Sequence, residues 1–327
     1  MPQRIEMSHY GGPEVLQLVE RPLPPLDPNE LRFRVLAAAV NHADLEIRAG
    51  HWQILAPHPF PYTPGLEAVG EVIEVGQAVE GVHVGDRVIT MMQKLGGIWG
   101  IRPGGYQEVV TVKAETVAVL PLHLDPFAIA ALGLAAVTAY EGLKRLHLAP
   151  GERLIIHGAT GGVGSVAVQM ARALGVEVIA TTTSSAKDGY LRELGVANIV
   201  HLGTEGLVAS LGARTIDAVF DTIGGATFTE SVAVLRRAGR LVLIGASAGD
   251  QLLISAWDLL QDLHLTGYSS ENLTGDDLRE DMQHICSWLE QGTITAPATH
   301  RFPLAQAAQV HARMEQRELV GRNLLLP

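Results

Sequence analysis

The chain has 327 residues, 47 % of them hydrophobic and 18 % charged, with a formal net charge of −11. That length accommodates two cored domains, and that composition excludes a disordered chain. The acidic balance argues against a broad basic face for nucleic acid or acidic membrane. With Cys286 as the one cysteine, an intrachain disulfide and a thiolate-rich metal site are excluded.

The first 120 residues are expected to form an all-β, barrel-like unit. Short Val/Ile runs broken by Gly and Pro recur there: "ELRFRVLAAAV" (30–40), "EAVGEVIEVG" (67–76), "GDRVIT" (85–90) and "YQEVVTV" (106–112). The opening "MPQRIEMSHYGGPEVLQ" lacks the apolar core of a signal peptide. The stretch "LDPFAIAALGLAAVTAYEGL" (124–143) carries Asp125, Pro126 and Glu141. It never reaches about 18 uninterrupted apolar residues, so it reads as a buried Ala-rich helix rather than a membrane span. The expectation is a cytoplasmic protein that engages neither nucleic acid nor membrane.

Strands and helices then alternate, as in an α/β domain. "RLIIHG" (153–158) reads as a strand, "SVAVQMARALG" (165–175) as a helix closed by Gly175, and "VEVIATTT" (176–183) as a strand. "AKDGYLRELG" (186–195) is a short helix, "DAVFDTIG" (217–224) a strand, and "TFTESVAVLRRAG" (227–239) a helix ending at Gly239. "RLVLIGAS" (240–247) is another strand. Strands apolar throughout imply a parallel sheet buried on both faces. From about residue 260 the pattern is mixed, with an amphipathic helix at "DDLREDMQHICSWLEQG" (276–292) and a closing strand in "RNLLLP" (322–327). A nucleotide domain, 123–261, is therefore expected to be inserted between the two parts of a first domain, 1–122 and 262–327, with a cleft between them.

The loop "HGATGGVG" (157–164) sits between the first of these strands and its helix. Such a loop presents backbone N–H groups at the positive end of a helix dipole, where a pyrophosphate binds. Against the G-x-G-x-x-G pattern the first glycine is Ala159, with Gly158 before it. Gly161 would admit the phosphates, and Gly164 the close helix–strand crossing. A triphosphate P-loop is disfavoured because Ser165, not lysine, follows Gly164. The next strand runs out as "ATTTSSAK" (180–187) with no carboxylate before Asp188. Thr182, Ser184 and Lys187 offer hydroxyls and a cation to a 2′-phosphate, which favours NADPH over NADH.

In order along the chain, "HYGGPEVL", "VNHADLEIRAG", "PGLEAVGEVIEVG", "GDRV", "GGYQEVVTV" and "HGATGGVGSVAVQMARALG" resemble the zinc-free quinone oxidoreductases of the medium-chain dehydrogenase/reductase superfamily, the group that includes zeta-crystallin. The resemblance spans essentially the whole chain, through "LVGRNLLLP". It implies an α/β protein with a GroES-like β-barrel catalytic domain, a Rossmann doubly wound parallel-sheet domain, an NADPH cleft and a homodimer. Carried over by position, Asn41 and Thr138 lie beside the nicotinamide, and Gly161, Gly162 and Val163 line the pyrophosphate. Gly245 passes the nicotinamide ribose, and Arg322 lies near the cofactor. Two departures stand out. His201 or Leu202 occupies the place of a tyrosine that often holds the 2′-phosphate, and Glu46 replaces a tyrosine often seen after Asn41.

Zinc-dependent relatives carry a histidine in a "GHE" motif, where this chain has Gly65-Leu66-Glu67. Leucine cannot ligate a cation, and His42, His51 and His58 show no coherent ligand spacing. Without a Lewis acid, alcohol oxidation is disfavoured, whereas hydride transfer to a quinone or an enone meets an acceptor that is already electron-poor. Asn41 is the candidate donor to the resulting oxyanion; its other role would be to fix its own loop. His51, Trp52 and Tyr62 are expected near the mouth of the cleft. The alternatives are an enoyl-thioester reductase, or a non-catalytic NADPH-binding protein.

Overall fold

The computed structural model describes residues 1–52, 60–93, 95, 102–203, 206–316, 318–319 and 321–327. They divide into two compact units, 1–134 with 270–290 and 295–327, and 135–269 with 291–294. The first unit opens with strands β1 (Gln3–Glu6), β2 (Gln17–Glu20) and β3 (Glu30–Val40), then helix α1 (His42–Ala49). It continues through β4 (Glu67–Val75), β5 (Arg87–Met91), β6 (Val109–Lys113) and β7 (Val117–Leu120) to helix α2 (Pro126–Lys144). The second unit runs β8 (Arg153–His157), α3 (Gly162–Ala173), β9 (Glu177–Thr182), α4 (Asp188–Glu193), β10 (Asn198–His201), α5 (Gly206–Leu211) and β11 (Ile216–Asp221). It ends with α6 (Ala226–Val234), β12 (Leu235–Leu243), α7 (Ala256–Leu259) and β13 (His264–Gly267). The first unit then resumes with α8 (Gly275–Glu290), β14 (Thr299–Pro303), α9 (Ala307–Glu315) and β15 (Arg322–Leu326).

β3 organises the first unit. One edge pairs with β4; on the other, residues 30–34 pair with β6 and residues 38–40 with β15. Register shifts at Arg32/Phe33 and Val35/Ala37 bend it, as a strand shared between two neighbours requires. Leu31, Phe33, Val72, Val88 and Ile89 are buried as the core of this curled sheet.

The second unit is a parallel sheet in the order β10-β9-β8-β11-β12-β13. The chain reverses direction across the sheet between β8 and β11, the switch point where ligands of open α/β sheets bind. Ile155, Ile179, Val219 and Leu241 are fully or almost fully buried and pack with Phe228 and Val232 of α6. This is the parallel sheet expected from the continuous apolar runs, in the doubly wound order that the family resemblance implies.

Three boundaries differ from the sequence reading. The helix expected to end at Gly239 ends at Val234, and "LRRAG" belongs to β12. Leu235 turns extended and pairs with Ile216 before a bulge; Arg236 then reaches Asp217, so pairing overrides the helical propensity of the arginines. The first unit extends past residue 122, because α2 breaks at Gly133 (φ 26°, ψ −124°) and the Leu134 N–H bonds Glu67 of β4. The second extends past residue 261, because β13 completes its sheet. Among the described residues α2 is the one helix long and apolar enough to cross a membrane; two thirds of its apolar window (67 %) is buried inside the fold.

Candidate active site

In the second unit the glycine loop follows β8 directly. Gly158 takes φ +67°, and a Cβ there would lie 2.2 Å from Thr222 Oγ1, so only glycine fits the turn. Gly161 caps α3, and the first helical bond runs from Ser165 N–H to Gly161 O at 2.9 Å. The N–H groups of Gly162, Val163 and Gly164 precede that bond and have no intrahelical acceptor. They form a ready anion cradle at the positive end of the helix. A Cβ on Gly161 would meet only Gly158 O, at 3.2 Å, whereas one on Gly164 would be 2.2 Å from the same oxygen. Gly161 therefore faces open space, and Gly164 packs on the strand end.

Beneath the loop, His157 is fully buried, with Nδ1 2.8 Å from Thr181 Oγ1 and Nε2 2.7 Å from Ser231 Oγ. Ser231 donates its hydroxyl hydrogen to Thr227 O, so it must accept from Nε2–H, leaving Nδ1 to accept from Thr181. Burial lowers the pKa of His157, and the neutral ring ties β8, β9 and α6 together. Asp221 Oδ1 accepts from the Ile223 and Gly224 N–H groups at 2.8 and 3.0 Å, shaping the loop after β11. Gly245 packs against that loop, since a Cβ there would stand 2.7 Å from Thr222 O.

At the end of β9, the Thr182 hydroxyl donates to Ser184 O and accepts from Ser184 N–H, both at 3.2 Å. Lys187 is exposed in the following turn, its N–H bonded to Ser184 O. His201 ends β10 beside Thr182, with Nε2 2.9 Å from Asp188 Oδ1, and the Leu202 N–H bonds Thr182 O. The first acid after β9 is thus engaged by a histidine. Thr138 is half-buried in the second half of α2.

In the first unit, Asn41 caps α1 and is 8 % exposed. Its Nδ2 donates to Glu67 Oε1 at 2.8 Å, while Arg322 Nη2 donates to Asn41 Oδ1 at 2.9 Å and to Glu67 Oε1 at 3.2 Å. Glu67 Oε2 accepts the Leu134 N–H at 2.7 Å. Burial pushes the Glu67 carboxyl up, opposed by Arg322, the Asn41 amide and the Leu134 N–H. All three of these partners donate, so the ionised carboxylate is the form that satisfies them together. A Cβ at Gly133 would fall 1.9 Å from Glu67 Oε2, so the helix break and the carboxylate occupy one space.

A second buried cluster adjoins it. Asp44 Oδ2 accepts the Asn41 N–H at 2.8 Å and Oδ1 the Leu66 N–H at 3.1 Å. Burial raises the Asp44 carboxyl to about 7. The Tyr106 hydroxyl, beside Asp44, is 3.2 Å from His311 Nε2. Burial, then the charge of Arg48, lowers His311 to about 3.

Sequence reasoning singled out Asn41 and Arg322 but missed Glu67, Gly133, Asp44, Tyr106 and His311 as their setting. The available signal was a carboxylate inside the apolar run "GLEAVGEV". Leu66 is buried, and no group of three His, Cys, Asp or Glu able to hold a metal occurs among the described residues. His42 and His51 are exposed, both within 3.5 Å of Glu46. Trp52 Nε1 donates to Glu271 at 3.3 Å, and Tyr62 is buried with its backbone paired to Met7. His58 lies outside the described residues.

Known families match both units. The profile described as "Alcohol dehydrogenase GroES-like domain" matches residues 27–122, and that described as "Zinc-binding dehydrogenase" matches residues 162–290. Quinone oxidoreductase 1 of Escherichia coli (strain K12) is 32 % identical over 340 aligned positions, covering 100 % of both chains. A 2-haloacrylate reductase from a Burkholderia species is 29 % identical, over 97 % of this chain and 96 % of its own. The crystal structure of Escherichia coli quinone oxidoreductase complexed with NADPH matches with a TM-score of 0.88 at 31 % identity. That match covers 99 % of this chain and 100 % of that one.

Proposed function

Since this chain belongs to the quinone oxidoreductase family of the medium-chain dehydrogenase/reductase superfamily, we propose that it reduces quinones or related electron-poor enones with NADPH, without a metal. It is an NADPH-dependent oxidoreductase. The carrying observation is the amide cradle of Gly162, Val163 and Gly164 at the switch point of a parallel sheet. Gly161 leaves that cradle open to a pyrophosphate. Thr182, Ser184 and Lys187 receive the 2′-phosphate, and Asp188, engaged by His201, repels it less than an unpartnered acid would.

NADPH bound there supplies the hydride. Gly245 and Thr138 line the nicotinamide end. Leu66 offers no ligand to a cation, so the acceptor must be electrophilic by itself. The charge that develops on its oxygen requires hydrogen-bond donors. Asn41 supplies one: an amide nitrogen carries two hydrogens, and Glu67 takes one of them. Arg322 neutralises Glu67 beside it and keeps the site from repelling an oxyanion.

A second reading, reduction of enoyl thioesters or acrylates, draws on the 2-haloacrylate reductase relative and uses the same hydride chemistry. One assay separates these readings from a binding-only protein. NADPH oxidation is followed with a quinone, an enone, an acrylate and an enoyl thioester, with and without chelator. Fast, chelator-resistant turnover with quinones supports the primary reading. Turnover confined to thioesters or acrylates selects the second, and none with any acceptor leaves only a binder.

The protein acts as a homodimer. β13 is the outer strand of the parallel sheet, and just before it Leu253, Trp257 and Leu260 are 74, 75 and 68 % exposed. An exposed sheet edge beside an apolar patch is covered by pairing with a second copy.

A further inference from the structure

We propose that Glu67 is a positioning residue that sets which way the Asn41 amide faces, and thereby presents its second N–H to the acceptor oxygen. This rests on the reading of Asn41 as the oxyanion donor.

The two ends of an asparagine amide have nearly the same shape, so chemistry alone must decide which end points where. Here it does. The ionised carboxylate of Glu67 only accepts, and the guanidinium of Arg322 only donates. With Glu67 on one side and Arg322 on the other, Nδ2 must face Glu67 and Oδ1 must face Arg322, the arrangement found at 2.8 and 2.9 Å. The flipped amide would set oxygen against carboxylate and NH2 against guanidinium.

The carboxylate is itself held from three sides. Oε1 serves Asn41 and Arg322, and Oε2 serves the Leu134 N–H that the break at Gly133 releases from the helix ladder. Glu67 is 1 % exposed, so water cannot replace a lost contact cheaply. A glutamine has only one acceptor oxygen. If its oxygen faces Asn41 and Arg322, its NH2 meets the Leu134 N–H. If its oxygen faces Leu134, its NH2 meets Asn41, whose flip then sets NH2 against Arg322. Either way one donor confronts another, and the amide direction no longer has an acceptor-only carboxylate to oppose Arg322.

Exchanging the two functional groups resolves that conflict. In the double variant Asn41→Asp/Glu67→Gln, the amide now at position 67 donates to the carboxylate now at position 41 and accepts from the Leu134 N–H. Arg322 pairs with that same carboxylate. Every contact but the 3.2 Å one from Arg322 to position 67 is restored, and no N–H is left for the acceptor.

The test measures thermal unfolding together with kcat and KM for NADPH and a quinone. The proteins are the unmodified chain, Glu67→Gln, Asn41→Ala, Glu67→Gln/Asn41→Ala and the exchanged pair. Glu67→Gln is expected to lower kcat by roughly 10- to 100-fold, with KM for NADPH nearly constant. It should add little to that loss once Asn41 is replaced by alanine, because it acts through Asn41. The exchanged pair should recover most of the thermal stability lost in Glu67→Gln and yet stay slow. Recovery of turnover in the exchanged pair, or a Glu67→Gln loss fully additive with Asn41→Ala, overturns the proposal. Full turnover of Asn41→Ala alone instead overturns the reading of Asn41 beneath it.

Discussion

A Cβ on Gly164 would lie 2.2 Å from the carbonyl oxygen of Gly158, where real Cβ atoms do not go. Helix α3 therefore approaches the end of β8 at a distance only glycine allows. Gly164→Ala should destabilise the protein by about 1–3 kcal/mol, the usual cost of overpacking. Gly161→Ala, with φ −78° and one contact at 3.2 Å, should melt close to the unmodified protein but bind NADPH at least tenfold more weakly. Melting curves and cofactor titration on both variants check this; equal melting losses would refute it.

Lys187 is the cation in the turn after β9. Lys187→Ala should cost roughly 1–2 kcal/mol of NADPH affinity, the range of a charge-assisted contact, and leave NADH binding nearly unchanged. Fluorescence titration with the two cofactors decides it. Equal affinities in the unmodified protein would remove the basis for the preference.

Asn41→Ala should lower kcat with quinones by about 10- to 1000-fold, the scale of losing one oxyanion donor. Asn41→Asp should be slower still, because it places a carboxylate beside Glu67 and the developing oxyanion. NADPH affinity should hardly move in either variant. Steady-state kinetics with both cofactor and acceptor varied separates the two effects.

Asp44 and His311 titrate in opposite senses. Asp44, raised from 3.8 to about 7, is protonated in the folded chain while the unfolded chain is not. Its contribution is full below pH 3.8 and is lost as pH rises through about 7. His311, lowered from 6.5 to about 3, gives a contribution present above pH 6.5 and lost as pH falls toward about 3. Between those limits the two slopes oppose each other. In Asp44→Asn the opposition is gone. Its stability deficit relative to the unmodified protein should widen by about 1.4 kcal/mol per pH unit between pH 7 and pH 4. Urea unfolding at several pH values measures that slope, and a constant deficit would contradict it.

Replacing Trp257 by Asp should move the protein toward monomer in sedimentation, because it puts charge into the exposed patch beside β13. An unchanged mass for that variant, or a monomer before substitution, would place no interface on this edge.

The βα alternation was legible because strands buried on both faces are apolar at every position, as Leu154–Ile156 and Val219–Phe220 are. The glycine loop was legible because Gly158 and Gly164 answer local steric demands. The setting of Asn41 was not. Its partners lie 26 and 281 positions away, and no local periodicity links a carboxylate in β4 to an arginine in β15. The end of α6 was missed for a related reason: Leu235 leaves the helix to pair with Ile216, a residue of another element. Short strands such as β1 and β13 carry too few residues for alternation to register.

β15 is an interior strand, lying between β14 and β3, and its first residue is Arg322. During synthesis that arginine emerges 255 residues after the carboxylate it will neutralise. At ~5–20 residues per second the ribosome leaves Glu67 without its counter-charge for roughly ten to fifty seconds. In that interval every residue from 135 to 269 has been made, so the parallel-sheet unit can mature while the barrel still has an open seam along β3. Translation thus completes the chain of the nucleotide unit before the cluster around Asn41 can close, since that cluster waits on the last strand.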